Sequence, residues 1–314
     1  MREARLLRIG REIFLAGLGM PLDTVDSWVI DRLTAVLGEQ EVRKGQTLFS
    51  AGETSEFLYF MQDGHVRLTR EGGPSWTFHG RWLLGAFEAL GERPAAHTAT
   101  ALADFHSMRV HAPDWVELLE DSFQLARQGV TNLSRAIAML EQRIATEAPV
   151  SPRATPVLSA VPAGTLSMVE RLALLLDVRM LRGAGVQTLA DLAAVSEQVS
   201  FATGDHVLDR GGERQHLICI LDGEVAAERT VPDVARRYGP GDLVCGAAIV
   251  GGVAAPWQAV ASAPVRAIAI PLEGLFDLME EHFDLVRSVL SALGARRELL
   301  LDHLAAPTGD VVLT

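Results

Sequence analysis

Three histidines, His97, His106 and His111, fall close together in the chain, and clustered imidazoles are the usual material of a metal centre. Their successive separations are nine and five residues, both odd, and neighbouring side chains of a strand alternate between its faces. Ordinary strand histidines are the reading that follows. There is no GxSxG, no Walker loop, no HExxH and no Cys-His pairing at a usable spacing. Cys219 and Cys245 sit in apolar runs without a CxxC, as buried, reduced and inert thiols do in an intracellular protein. The chemistry on offer is recognition rather than catalysis, and no enzyme is expected.

Charge narrows what is recognised. The formal net charge of -12 works against a nucleic-acid partner, because phosphate binding needs a concentrated positive surface. No run reaches the roughly eighteen apolar residues of a membrane-spanning helix, so no membrane insertion is expected and the protein reads as cytoplasmic. Acidic Glu3 and Glu12 interrupt the partly apolar start, which reads as a helix rather than a leader.

The elements that must position any binding group come twice. "GQTLFSAGETSEFLYFMQDG" (Gly45 to Gly64) aligns without a gap on "GDHVLDRGGERQHLICILDG" (Gly204 to Gly223), so that Gly45, Gly52, Asp63 and Gly64 fall on Gly204, Gly211, Asp222 and Gly223. "ALADFHSMRVHAPDWVELLE" and "ASAPVRAIAIPLEGLFDLME" match with the offset shifted by one residue. Each copy opens on an amphipathic lead-in, "DSWVIDRLTAVLGE" or "VQTLADLAAVSEQ", continues in short β-rich runs such as "FLYFM", "VRLT" and "LICIL", and closes on a helical tail. In the tails, Leu133, Ile137, Leu140 and Ile144 share one face, as do Val286, Val289, Leu293 and Leu300, and both stripes call for burial against the other copy or in a homodimer. Asp63-Gly64 and Asp222-Gly223 read as tight hairpin turns. The Pro, Ser and Ala-rich "APVSPRATPVLSAVPAGT" reads as a linker, which gives a first domain over 1–147, a linker over 148–165 and a second domain over 166–314.

Basic-Gly, an aliphatic pair, Gly-Glu, an aromatic-rich strand, Asp-Gly and a V-x-L strand together resemble the cyclic-nucleotide-binding domain of catabolite-activator-type regulators and protein kinase A regulatory subunits. The resemblance covers most of residues 15 to 145 and 170 to 305, and two copies in tandem look more like the latter. It implies a mainly β fold with flanking α-helices: two tandem double-stranded β-helix jelly rolls, each with N-terminal and C-terminal helices and a ligand held inside.

The family's phosphate-binding cassette, roughly Phe-Gly-Glu-Leu-Ala with an arginine about ten residues later, offers backbone N–H groups and the arginine to a cyclic phosphate and a carboxylate to the ribose hydroxyl. Here "LLGAFEALGERPAAHTATALADF" places Gly85 in the glycine slot, Ala86 in the glutamate slot beside Phe87, and Ala95 in the arginine slot, with Ala96 or His97 next in register. "GDLVCGAAIVGGVAAPWQAVASAPV" keeps Gly246, has Ala247 in the glutamate slot beside Ala248, and puts Ala255 in the arginine slot. Both copies thus lack both polar anchors, and a non-enzymatic regulatory or adaptor protein acting through an unidentified protein partner is expected. The alternative is a sensor that holds a nucleotide through backbone amides plus Arg93 or a base stacked on Trp257. A third, a cupin-like metal enzyme in the same roll, needs two or more histidines and an inward carboxylate, a set this sequence does not assemble. No cofactor is called for beyond a weak nucleotide or anion ligand at the amides near Gly85 and Gly246.

Overall fold

The computed structural model describes residues 26–91, 94–144, 161–209, 215–230, 233–254 and 257–313. The helix expected at the chain start and most of the expected linker lie outside them. Two compact units organise the chain, Met1–Gly129 with Leu301–Thr314 and Val130–Leu300. The tails are therefore shared out. From Val130 onward the helix that follows the first roll belongs to the second unit, and from Leu301 onward the chain that follows the second roll belongs to the first.

The first unit opens with α1 (Ser27–Val36), whose inward face is Val29 and Leu33, four residues apart as a helix stripe requires. Strands β1 (Gly38–Val42), β2 (Thr47–Phe49), β3 (Phe57–Thr69) and β4 (Ser75–Leu84) lead to the short helix α2 (Ala86–Gly91). Then come β5 (Thr98–Ala101), β6 (Phe105–His111), α3 (Ala112–Asp121) and the long tail α4 (Phe123–Arg143). The sheet runs β1-β6-β3-β4, with β5 joining β3 to β2. Its interior is apolar, with Leu58, Val66 and Ala99 fully buried and Phe60 meeting the Trp115 ring edge-on at 5.5 Å.

The second unit repeats the plan. Helix α5 (Met168–Leu175) starts in a capping box, where Ser167 Oγ accepts from the Glu170 N–H and the Glu170 carboxylate accepts from the Ser167 N–H. Helix α6 (Val186–Val195) precedes β7 (Glu197–Phe201), β8 (His206–Leu208), β9 (His216–Asp222), β10 (Val225–Thr230) and β11 (Asp233–Tyr238). The short helix α7 (Gly246–Val250) is followed by β12 (Gln258–Ala261), β13 (Val265–Pro271), α8 (Leu272–Glu281) and the tail α9 (Phe283–Ala305). Two sheets face each other here, β11-β10-β12-β8 and β7-β13-β9. The tail stripes lie within this unit: in the first, Ile137, Leu140 and, one residue past α4, Ile144 are buried and Leu133 is half-buried, and in the second Val286, Val289, Leu293 and Leu300 of α9 are buried.

The Asp-Gly pairs are not hairpin turns. In the first roll Phe57–Thr69 is one strand; it pairs with β6 through Met61 and with β5 from Val66, and its register with β4 shifts between Met61 and Gly64. In the second, β9 ends at Asp222 on β13, and β10 resumes at Val225 on β12 and β11. In the second copy Asp222-Gly223 is the corner where the chain leaves one sheet for the other; in the first, Asp63-Gly64 is the bend at which β3 passes from β6 to β5 within one sheet. The two glycines serve them differently. Gly223 has φ +91 and a Cβ there would lie 2.1 Å from the Pro264 carbonyl oxygen, whereas a Cβ on Gly64 would meet only the Met61 side chain, at 2.7 Å.

A last strand, β14 (Asp310–Leu313), was hidden in the residues after the second tail; it pairs in parallel with β4, Asp310 opposite Ser75 and Leu313 opposite Phe78. The Asp310 carboxylate accepts from Ser75 Oγ at 2.8 Å and Thr77 Oγ1 at 3.1 Å.

The corner geometry sets an order of sensitivity. Gly223→Ala is expected to cost about 3 kcal/mol or more, since a left-handed backbone and a rigid carbonyl both oppose the methyl group, and Gly64→Ala about 1 kcal/mol, since a methionine can turn aside. Urea denaturation of the two variants checks it; equal losses would refute the assignment.

Candidate functional site

Gly85 holds φ +85 at the entry to α2, and a Cβ there would lie 3.1 Å from the Phe57 carbonyl oxygen and 3.6 Å from Ser55 Oγ. Close approach to the start of β3 is the reason for glycine. Ala86, 7% exposed, begins α2, and Glu88 lies buried in its first turn. Ala95 is also buried and is fastened to the same stretch, its N–H donating to Glu53 O at 2.8 Å and its carbonyl accepting from the Gly52 N–H at 2.8 Å. The structure thus brings Gly85, Ala86 and Ala95 around residues 52–57. Arg93 lies outside the described residues, and so does the side chain of Phe87.

In the second roll the left-handed residue before the helix is Cys245, φ 52, and not Gly246. By conformation Cys245 answers to Gly85, so the one-residue shift in offset between the copies falls before the helix and Gly246 itself takes the position of Ala86. Ala247 is half-buried, Ala248 is buried, and Ala255 lies outside the described residues. Helix α4 backs onto this cassette: Arg135 Nε donates to the Gly251 carbonyl at 3.2 Å, and a Cβ on Gly251 would come 2.7 Å from the Arg135 nitrogen.

His97 and Trp257 hold equivalent places, each one residue before a strand, β5 and β12, and both are buried. Each packs against a second side chain, the His97 and Trp76 rings tilted by 40° to one another. The His97 ring lies 4.0 Å from that of Trp76, which sits opposite Leu68; the Trp257 ring lies 4.5 Å from the guanidinium carbon of Arg236, which sits opposite Ala227. Leu68 and Ala227 are both four residues past the aligned glycines Gly64 and Gly223, so the two pairs are counterparts. Trp76 and Arg236 were missed as site residues, although the gapless alignment carried far enough would have set their partners side by side. Trp257 packs among Val207, Val225, Ala227, Ala259 and Ala261 in the core of the second roll.

Carboxylates from the tails complete both pairs. Asp302 of α9 accepts from Trp76 Nε1 at 3.2 Å and is ion-paired with Arg70. Glu141 of α4 takes Arg236 Nη1 at 2.8 Å and Arg296 Nη2 at 2.9 Å, and its backbone carbonyl accepts from Arg236 Nη2 at 3.3 Å. The histidines do not converge: His106 is exposed, His111 is half-buried against the Phe57 ring, and among the described residues no three His, Cys, Asp or Glu side chains could hold a metal. Burial pushes the Cys219 thiol up to about 12, which makes it inert at neutral pH.

Burial, and secondarily the Arg70 charge, push the His97 imidazole down to about 4, against a smaller opposing pull from Asp302. Its Nε2 is buried with no hydrogen-bond partner. A histidine that titrates lower folded than unfolded binds fewer protons in the folded state between those values. Its contribution is therefore whole above about pH 6.5 and is lost as the pH falls toward 4, by roughly 3 kcal/mol in all. Chemical denaturation across that window is expected to show the slope in the unaltered protein and to show it reduced in His97→Leu; an unchanged slope would refute the assignment.

A comparison with protein-family models matches the cyclic nucleotide-binding domain to residues 39–122 and 198–282, more than half of the chain. No curated protein matches. Among solved structures, the chain is similar to the regulatory domain of Toxoplasma gondii protein kinase A with cAMP, at 15% identity over 93% of this chain and 96% of that one, with a TM-score of 0.36. It is also similar to the guanosine-bound regulatory subunit of a cAMP-independent protein kinase A from Trypanosoma cruzi (15% identity, 96% and 93% covered, TM-score 0.34). The sensor domain of the transcriptional regulator DNR from Pseudomonas aeruginosa aligns over 41% of this chain and 89% of that one, at 16% identity and a TM-score of 0.38. Since the two matched segments coincide with the two rolls, the chain belongs to the cyclic nucleotide-binding domain family and carries its domain twice.

Proposed function

We propose that this non-enzymatic regulatory protein has two lumens closed by their own side chains, and that it acts as an adaptor through contacts with a protein partner instead of sensing a cyclic nucleotide. The observation that carries the reading is the two packed pairs, Trp76 with His97 and Arg236 with Trp257, standing beside cassettes in which alanine or glycine occupies the anchor slots. In the first copy those slots are Ala86 and Ala95. In the second they are Gly246 or Ala247, according to register, and Ala255.

Each missing charge-assisted hydrogen bond is worth roughly 1.5–3 kcal/mol, so two per lumen weaken a cyclic nucleotide by about a hundredfold to ten-thousandfold. Arg236, which lies over Trp257 in the second roll, is already engaged by Glu141. Moving it toward a phosphate would break that pair and leave Glu141 to Arg296 alone.

Titration calorimetry with cyclic AMP and cyclic GMP tests the proposal. The unaltered protein is expected to stay silent up to about 100 μM nucleotide. Ala86→Glu with Ala95→Arg is expected to stay silent as well until His97→Ala opens the first pair. Submicromolar binding by the unaltered chain would overturn the reading in favour of a sensor.

A further inference from the structure

His65 of β3 and His79 of β4 stand directly opposite one another in the antiparallel ladder of the first roll. The adjoining residues of the two strands, Val66 and Phe78, are 0% and 1% exposed, and side chains alternate along a strand, so both imidazoles project from the outer face. His79 is exposed there and His65 is half-buried. Among the described residues neither ring nitrogen makes a hydrogen bond, and the one contact of each ring is with the other.

The ring centres lie 5.2 Å apart and the ring planes are inclined at 67°. A zinc ion about 2.1 Å from one nitrogen of each ring, at a tetrahedral angle between them, sets the ring centres about 5.2 Å apart, and rings standing across the nitrogen–zinc–nitrogen plane are then inclined at about 70°. The right angle of a square-planar or octahedral ion would bring the centres to about 4.5 Å. Separation and inclination both match two arms of a tetrahedron. The flanking cations are Arg67 and Arg81, two residues along each strand; Arg67 is drawn to Thr77 and Asp310, and Arg81 is exposed, where solvent screens it. Next to the histidines Gly64 faces Gly80, and a Cβ on Gly80 would meet nothing within 4 Å, which leaves room for an ion and its waters.

We propose that His65 and His79 form a zinc site of two imidazoles and two waters that staples β3 to β4. The place is where the strand pair needs it: the register shifts between Met61 and Gly64, and the glycine pair beyond the histidines has no side chains to pack across the ladder. Zinc binding therefore makes the stability of the first roll depend on the metal. The site is independent of the closed-lumen reading, because it lies on the outer face and the lumens lie within. With two protein ligands and not the three or four of a catalytic or structural zinc centre, its affinity is modest.

The test titrates the full chain with zinc chloride in a calorimeter, beside His65→Gln and His79→Gln. One zinc per chain is expected, with a dissociation constant between about 1 and 100 μM, and each variant is expected to weaken it at least tenfold. Zinc at about a hundredfold over that constant is expected to raise the melting temperature of the unaltered chain by at least about 3 °C, reversibly with EDTA, and to leave that of the variants in place. Cobalt(II) bound in place of zinc is expected to give the intense visible bands of tetrahedral coordination. His79 is exposed, so His79→Gln keeps the comparison valid should His65→Gln fail to fold. No binding up to about 1 mM, or zinc binding that His79→Gln leaves unaltered and so shows an adventitious ion only, would overturn the proposal; so would the pale spectrum of octahedral cobalt.

Discussion

A guanidinium that is 6% exposed cannot stay where it is without a carboxylate, and Glu141 of α4 supplies one to Arg236. Removing one partner of such a pair typically costs 3–5 kcal/mol, because the remaining charge stays buried and uncompensated. Much of the second unit hangs on this contact. It fixes the last turns of α4, it flattens Arg236 over Trp257, and it draws Arg296 of α9 to the same carboxylate. Asp302 does corresponding work in the first unit, holding Trp76 and Arg70.

The two copies answer one packing problem with different residues. The interior of each roll has to be filled, since close packing is what stabilises it. Trp76 and His97 fill the first place with two rings, one of them an imidazole held neutral by burial. Arg236 and Trp257 fill the second with a cation on an indole face. The choice of filler differs while its position is kept, which ties the filling to the fold and not to one favourable side chain.

The fold was legible in the sequence because it is written in periodicity: the helix stripes of the lead-ins and tails and the strand runs returned as elements. Asp63-Gly64 and Asp222-Gly223 misled because a dipeptide that suits a hairpin also suits a bend or a corner of a sheet, and only long-range pairing distinguishes them. The second cassette was offset because a left-handed residue was sought as glycine and is Cys245. Trp76, Arg236, Glu141 and Asp302 stayed hidden for another reason. Their meaning lies in pairs separated by up to 226 residues, and no local pattern carries that information. "DVVL" near the end is an adequate strand by composition, but four residues alone do not say which sheet they join.

That final strand bears on how the molecule comes into being on the ribosome. Asp310 meets Ser75 across a separation of 235 residues, so the first sheet waits for nearly the whole chain to emerge before its last edge is covered. During synthesis at about 5–20 residues per second the uncovered β4 edge stands open for tens of seconds, while the entire second unit is made. An exposed strand edge is a template for mispairing, and Arg67, placed between Thr77 and the eventual position of Asp310, puts a charge beside it in the interval. The nascent first roll is thus an aggregation-exposed intermediate by topology, whatever its own sequence preferences.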